Sequence, residues 1–228
     1  PTVVNNVETL ACLPPNINHG ADWFKSIGSE KGPGPGLFCV SGTVTNPGVF
    51  EQPMVISIKE LLFARARCIP ENKQLKAVFP GGSSSAILTA EEALDVKMDF
   101  EYLVEKKSML GSAGVIVMDE TVDMVQACLN IARFYAHESC GQCTPCREGT
   151  AWLVKMLTRI VNGQGKPDDI DMLYEITDNI GGRIDFSKGS FGKTICPFGE
   201  AVAWPVRSFV EKFENEFRSY IQQVEAVA

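Results

Sequence analysis

The sequence predicts an α+β fold in two parts, a small sheet crossed by one helix and then a bundle of four amphipathic helices. Three observations carry this. Strand-length apolar runs bounded by turn residues continue as far as Met118. From Asp119 the apolar spacing changes to that of a helix, and three cysteines spaced three apart lie within the helical part.

Taken in order, the chain opens with Pro1-Thr2-Val3-Val4-Asn5-Asn6-Val7, where no element can bury the valines locally; the segment reads as the edge of something larger. Gly28 to Gly36 alternates Gly and Pro, which supports neither a helix nor a sheet ladder, so a linker and a boundary are expected there. Leu37 to Ser41 and Val49 to Glu51 form a hairpin around Asn46-Pro47-Gly48, with Gly48 supplying the positive φ of a type II turn. Ser57 and Glu60 make a capping box for a short helix beginning near Ile58. Leu75 to Phe79 and Val115 to Met118 complete the sheet.

Val122, Val125, Leu129 and Ala132 then recur at helical spacing behind a cap at Asp119 or Thr121, and Trp152, Met156 and Ile160 do the same. Pro167 with Asp168 and Asp169 starts a third helix after a turn at Asn162-Gly163-Gln164-Gly165. Pro205 starts a fourth, with Phe209, Phe213, Phe217 and Tyr220 on one face.

Composition excludes several classes. Lys plus Arg is 21 against 28 Asp plus Glu, and a net charge of -7 offers no basic footprint for nucleic acid. No apolar run approaches the roughly 20 residues of a membrane helix, so any membrane link goes through a partner. Eight cysteines are too dilute for a small disulfide scaffold. The Gly-rich segments at 32–36 and 80–85 lack a phosphate-loop signature and read as turns.

Chemistry concentrates in Glu138-Ser139-Cys140-Gly141-Gln142-Cys143-Thr144-Pro145-Cys146-Arg147-Glu148-Gly149. Cysteines at this spacing let a short loop present three thiolates to one inorganic cluster. A cubane needs a fourth ligand, and Cys196, followed by Pro197, is the best candidate. Two helices between Arg147 and Asn179 would form the hairpin that returns the chain, and Gly199 would allow close backbone approach. A structural zinc held by the three cysteines and a remote Cys or His137 is the competing reading, although zinc more often takes ligands in pairs. Arg147 either offsets the charge of an anionic cluster or caps the loop; His137 reads as a helix-end cap. Cys12, Cys39, Cys68 and Cys128 are assigned no role.

The 138–149 motif, with Thr194-Ile195-Cys196 and Ala203-Trp204-Pro205-Val206, resembles the family of NADH-binding flavoprotein subunits of respiratory complex I; Val4-Asn5-Asn6-Val7-Glu8-Thr9 and Ala77-Val78-Phe79-Pro80-Gly81-Gly82-Ser83-Ser84 extend the resemblance along the chain. The resemblance implies the C-terminal portion of such a subunit: residues 1–27 as a remnant of the FMN/NADH-binding domain, 28–118 as a ubiquitin-like β-grasp domain of the soluble-ligand-binding type, and 119–228 as a helical domain carrying one [4Fe-4S] cluster. It implies Cys140, Cys143, Cys146 and Cys196 as cluster ligands, and Asn5, Asn6 and Thr9 as contacts to an FMN whose site an N-terminal half would complete. By the same resemblance the cluster takes single electrons from FMN reduced by NADH and passes them along an iron–sulfur chain toward quinone, and this chain alone lacks NADH-oxidising activity. Implied partners are a thioredoxin-like [2Fe-2S] subunit and a larger iron–sulfur subunit, in a cytoplasmic complex peripheral to the inner membrane (the matrix side in a mitochondrion). Alternatives are the same module in a diaphorase subunit of an NAD-linked hydrogenase or formate dehydrogenase, or a zinc-stapled interaction module without catalysis.

Overall fold

The computed structural model describes residues 1–66, 73–184 and 192–225. Three short helices open the chain, α1 (Val7–Ala11), α2 (Leu13–His19) and α3 (Ala21–Lys25), and none buries a residue. Val3, Val4 and Val7 are exposed, as expected of a segment without local cover.

The Gly-Pro run is a packed turn and not a free linker. The Ser29 amide donates to the Gly32 carbonyl (3.1 Å), the Gly34 amide to Ile27 (2.6 Å), and the Ser29 hydroxyl to Asp99 (3.0 Å). Gly34 takes φ +99°, and a Cβ there would lie 2.2 Å from the Phe24 ring, so glycine is what admits the ring. Composition rules out local periodic structure, but it does not report packing against a distant residue.

The sheet holds β1 (Pro35–Gly42), β2 (Gly48–Pro53), β3 (Leu75–Phe79), β4 (Leu88–Thr89) and β5 (Gly114–Asp119), in the order β2-β1-β5-β3-β4. β1 and β2 pair antiparallel with Phe38 opposite Phe50; β5 enters the centre, parallel to β1 and antiparallel to β3. The left-handed residue near the hairpin is Gly42 (φ +97°), where β1 runs close under Val117, and not Gly48. The helix between β2 and β3 is wound as a π-helix over Glu60–Arg65 and buries Leu61 and Leu62. Ser57 accepts from the Glu60 amide (3.0 Å), but the Glu60 carboxylate turns to Arg65, so the expected capping box is half formed. The complete box is at Thr89 and Glu92, opening α4 (Ala90–Leu94); α5 (Phe100–Glu105) follows behind an Asp99 cap.

Successive strand residues point to opposite faces, and the sheet uses both. Val78, Val115 and Val117 pack with Phe38, Leu61, Leu62 and Leu103 on one side. Ala77, Phe79 and Met118 pack on the other with Val125, Leu129, Val206 and Phe209 from the helical part.

That part has five helices among the described residues where four were expected: α6 (Met124–Glu138), α7 (Thr144–Val161), α8 (Asp169–Ile180), α9 (Phe198–Lys212) and α10 (Glu214–Glu225). Asp123, and not Asp119 or Thr121, caps α6 by accepting from Val125 and Gln126 (both 2.9 Å); Asp119 instead accepts from the Thr121 amide and hydroxyl. Trp152 stands 52% exposed at the edge of the α7 stripe, whose buried members are Leu153, Met156, Leu157 and Ile160. Pro205 lies inside α9 and does not begin it; the buried stripe of Val202, Val206, Phe209 and Val210 runs straight past it. The chain breaks at Phe213, so Phe217 and Tyr220 belong to α10. Among the described residues, no helix is long and apolar enough to cross a membrane.

The turn joining α7 to α8 has Gly163 at φ +69°. It is latched by Asp169, fully buried, which accepts from both Arg159 nitrogens Nε and Nη2 and from the Lys166 amide (2.8 Å). Arg159 is one-third exposed and water can solvate it once its partner is gone, so the cost is that of the lost charge-assisted hydrogen bonds. Asp169→Ala is therefore expected to lower folding stability by about 2 kcal/mol in urea unfolding, with α7–α8 the affected hairpin.

The sheet and helical parts are also joined by Lys212 to Glu92 (2.6 Å) and by the Ile87 amide donating to Ser208 (3.0 Å). Burial pushes the Glu92 carboxyl up, but the Lys212 ammonium and the Thr89 donors outweigh it and hold the group below its ordinary value. A depressed carboxylate stabilises the fold fully above its unfolded pKa, near about 4.3, and this is lost as pH falls through the lower folded value. Stability measured against pH should decline in that acid window, and Glu92→Gln should flatten that part of the curve.

Candidate metal centre

The site forms where α6 ends and α7 begins. Ser139 closes α6 in extended conformation, its amide donating to Tyr135 (3.1 Å), and the loop reverses through Gly141 at φ +72°. Cys143 is the N-cap of α7, Pro145 sits in the first turn where its missing N–H is no loss, and Cys146 lies one turn inside. The loop therefore delivers three thiols in graded exposure: Cys140 exposed, Cys143 half-buried, Cys146 buried.

Cys196 reaches the same end from the other side. The α7–α8 hairpin carries the chain out and back, and α9 begins two residues after Cys196. Gly199 has no side chain because Thr194 fills the space: a Cβ would lie 2.2 Å from the Thr194 hydroxyl, which donates to the Cys196 carbonyl (3.0 Å). Close approach at Gly199 was expected from the sequence; Thr194 as the residue that uses it was not.

Electrostatics ties the four thiols together. Burial raises the Cys146 thiol first, the Ser139 hydroxyl opposes this, and the charges of Cys143, Cys140 and Cys196 each raise it further. The other three sulfurs therefore each lie near enough to act on Cys146. Among the described residues, no three His, Cys, Asp or Glu side chains already stand in metal-holding geometry. Like charges repel, so closing four thiolates on one point requires a cationic group between them. In donor chemistry the set fits a thiolate-ligated iron cluster: four sulfurs from one loop and one returning strand of chain.

The neighbouring residues sort clearly. Arg147 straddles the loop, Nη1 donating to the Gly141 carbonyl (3.0 Å) and Nε to Glu148 (3.0 Å), so it clasps the loop while keeping positive charge beside the thiols. His137 is 86% exposed in its side chain and pairs with Glu138 (3.0 Å) instead of capping a helix carbonyl. Ser139, to which no role was assigned from sequence, has its hydroxyl 3.1 Å from the Cys146 sulfur. Cys128 is fully buried in the helical core, Cys12 and Cys39 lie elsewhere, and Cys68 falls outside the described residues. Asn6 and Thr9 are brought together, but as a helix cap: Asn6 Oδ1 accepts from the Thr9 amide (2.9 Å) and hydroxyl (3.2 Å), with Asn5 exposed beside them.

Comparison with known proteins places these features in context. Residues 126–220 match a family model described as the NADH-ubiquinone oxidoreductase-F iron-sulfur binding region. An NADH-quinone oxidoreductase subunit of Rhizobium meliloti is 44% identical over 223 residues, covering 98% of this chain and 50% of that protein. The mitochondrial NADH dehydrogenase [ubiquinone] flavoprotein 1 of Dictyostelium discoideum is 43% identical over 98% of this chain and 45% of its own length. The mitochondrial NADH-ubiquinone oxidoreductase 51 kDa subunit of Aspergillus niger is 42% identical over 98% of this chain and 43% of its own. The chain thus spans about half the length of these relatives. A crystal structure of NAD+-reducing [NiFe]-hydrogenase in the air-oxidized state contains a similar fold, with TM-score 0.82 and 33% identity over 97% of this chain and 36% of that one.

Thiol accessibility provides a check on the arrangement. In metal-free chain at pH 8, Cys140 and Cys196 should alkylate at least about tenfold faster than Cys128, whose thiol burial holds protonated. Peptide mass spectrometry after iodoacetamide reads this directly; equal rates would mean that the cysteine environments are wrongly assigned.

Proposed function

Since residues 126–220 match the NADH-ubiquinone oxidoreductase-F iron–sulfur binding region and nearly the whole chain is homologous to flavoprotein subunits of NADH dehydrogenases, we propose that it is the electron-transfer portion of an NADH dehydrogenase. What supports this is the loop of Cys140, Cys143 and Cys146 where α6 passes into α7, with Cys196 two residues ahead of α9 and near enough to act on the Cys146 thiol. These four sulfurs hold a [4Fe-4S] cluster. When bound, the cluster supplies one-electron chemistry, taking electrons that FMN receives from NADH and passing them on toward quinone.

The chain's own residues hold and shield. Arg147 keeps a cation beside the thiolates and pins the loop at Gly141. Thr194 and Gly199 fix the backbone that presents Cys196, and Cys146 is kept from water by its burial. No residue here is assigned a proton to move.

We read residues 28–118 as a β-grasp domain, supported by the order β2-β1-β5-β3-β4 with β1 and β5 parallel and a helix between β2 and β3. Residues 119–228 are read as the helical cluster domain, with α10 added to a bundle of four. Residues 1–27 are read as the end of an FMN/NADH-binding domain, supported by the exposed apolar surface of Val3, Val4, Val7 and Ile17. In that setting Asn5, Asn6 and Thr9 face the flavin, and an N-terminal half completes its site. Partners are a thioredoxin-like [2Fe-2S] subunit and a larger iron–sulfur subunit, which hold the chain peripheral to the inner membrane.

Iron analysis tests the reading. Anaerobically produced chain is expected to carry about 4 iron per chain, with brown colour and absorption near about 400 nm. Cys143→Ser and Cys196→Ser should each remove most of it and destabilise the helical part, because binding free energy is folding free energy. His137→Ala should leave the iron in place. Colourless protein holding one zinc would overturn the proposal.

A further inference from the structure

The hydroxyl of Ser139 lies 3.1 Å from the Cys146 sulfur and 3.3 Å from the Gly141 amide. An amide can only donate, so the Gly141 N–H uses the Ser139 oxygen as acceptor. The hydroxyl's single proton is then left for its other neighbour, and a metal-bound thiolate sulfur accepts and does not donate. The contact is thus directional: Ser139 Oγ–H to Cys146 Sγ.

Three features hold that hydrogen bond in place. The Ser139 backbone is tied to α6 through its amide and Tyr135. Tyr135 is itself buried, with its own hydroxyl 3.0 Å from Ser83 and its ring packed edge-on against Phe198 beyond Cys196. Cys146 is the most buried of the four candidate sulfurs, where a donor is least diluted by water.

We propose that Ser139 is a positioning and tuning residue, whose hydroxyl donates to the Cys146 thiolate and raises the reduction potential of the cluster that this sulfur ligates. The inference rests on the cluster assignment above. Reduction adds one electron and no proton, and no bond forms or breaks, so the added negative charge falls partly on the ligating sulfurs. A hydrogen bond to sulfur stabilises that more electron-rich state over the oxidised one, and removing it makes reduction harder.

The test is a redox titration of the iron-loaded chain, with dithionite as electron donor, mediators to set the potential and the paramagnetic reduced signal as the readout. Ser139→Ala and the isosteric pair Ser139→Thr and Ser139→Val are compared with the unaltered chain, iron content being measured on each. At the unaltered chain's midpoint, where oxidised and reduced forms are equal, Ala and Val should shift the ratio about tenfold toward oxidised, which is about 59 mV for one electron. Thr keeps the hydroxyl and should stay near the unaltered midpoint. Iron-loaded Ala or Val with an unmoved midpoint overturns the inference and leaves the cluster assignment standing. Loss of iron from every variant without the hydroxyl, with Thr retaining it, means that Ser139 only holds the loop together and also overturns it. An unaltered chain that binds no iron fails the cluster assignment and the inference with it.

Discussion

Cys140, Cys143 and Cys146 leave α6 on one loop, Cys196 returns 50 residues after Cys146, and the constraint on this end of the molecule is that the other three sulfurs each act on the buried Cys146 thiol. A protein that gathers like charges must supply compensation and must hold the contributing segments rigidly. A cationic group held between the sulfurs would supply the compensation, and Arg147 pins the loop that presents three of them through the Gly141 carbonyl. Rigidity at the far turn of the α7–α8 hairpin comes from Asp169, buried and paired with the partly exposed Arg159.

The sheet couples to this arrangement because β3 and β5 bury residues on both of their faces. Val78 looks into the small core beneath the π-helical turn, while its neighbours Ala77 and Phe79 look into the helical core. Phe79 meets Phe209 of α9 edge to face at 5.6 Å between centroids, and Ser83 meets Tyr135 of α6. α6 leads directly into the three-cysteine loop, and α9 follows directly on Cys196. The two helices that flank the candidate ligands, one before the cysteine loop and one after Cys196, are therefore braced against the same strand and its following loop. A Gly-Ser loop that reads as a mere turn in sequence is, in three dimensions, a contact between the sheet and the helix that feeds the site.

Several features were legible before any coordinates. The Leu75–Phe79 strand, the Gly163 turn, the close approach at Gly199 and the change from strand to helix near Asp119 all follow from local chemistry, since each depends on residues within a few positions of one another. Errors arose where a local rule met a tertiary one. Proline normally starts a helix, so Pro205 concealed that the buried stripe had already begun at Val202. Gly and Pro normally mark a linker, so the seat of Phe24 against Gly34 was invisible. Thr89 and Glu92 form an available capping-box signal, easily passed over because the helix behind it is a single turn.

By itself the sequence determined the donor chemistry: three sulfurs on a tight loop, a fourth before a proline, and an acidic chain without a nucleic-acid footprint. Only the tertiary structure decided that Cys196 shares a field with Cys146, that Arg147 clasps the loop carbonyl, and that Ser139 aims its hydroxyl at a sulfur. The physical reason is range. Donor type and backbone preference are set by a residue and its immediate neighbours, whereas hydrogen bonds and Coulomb forces act through space, between groups whose separation the chain order does not contain.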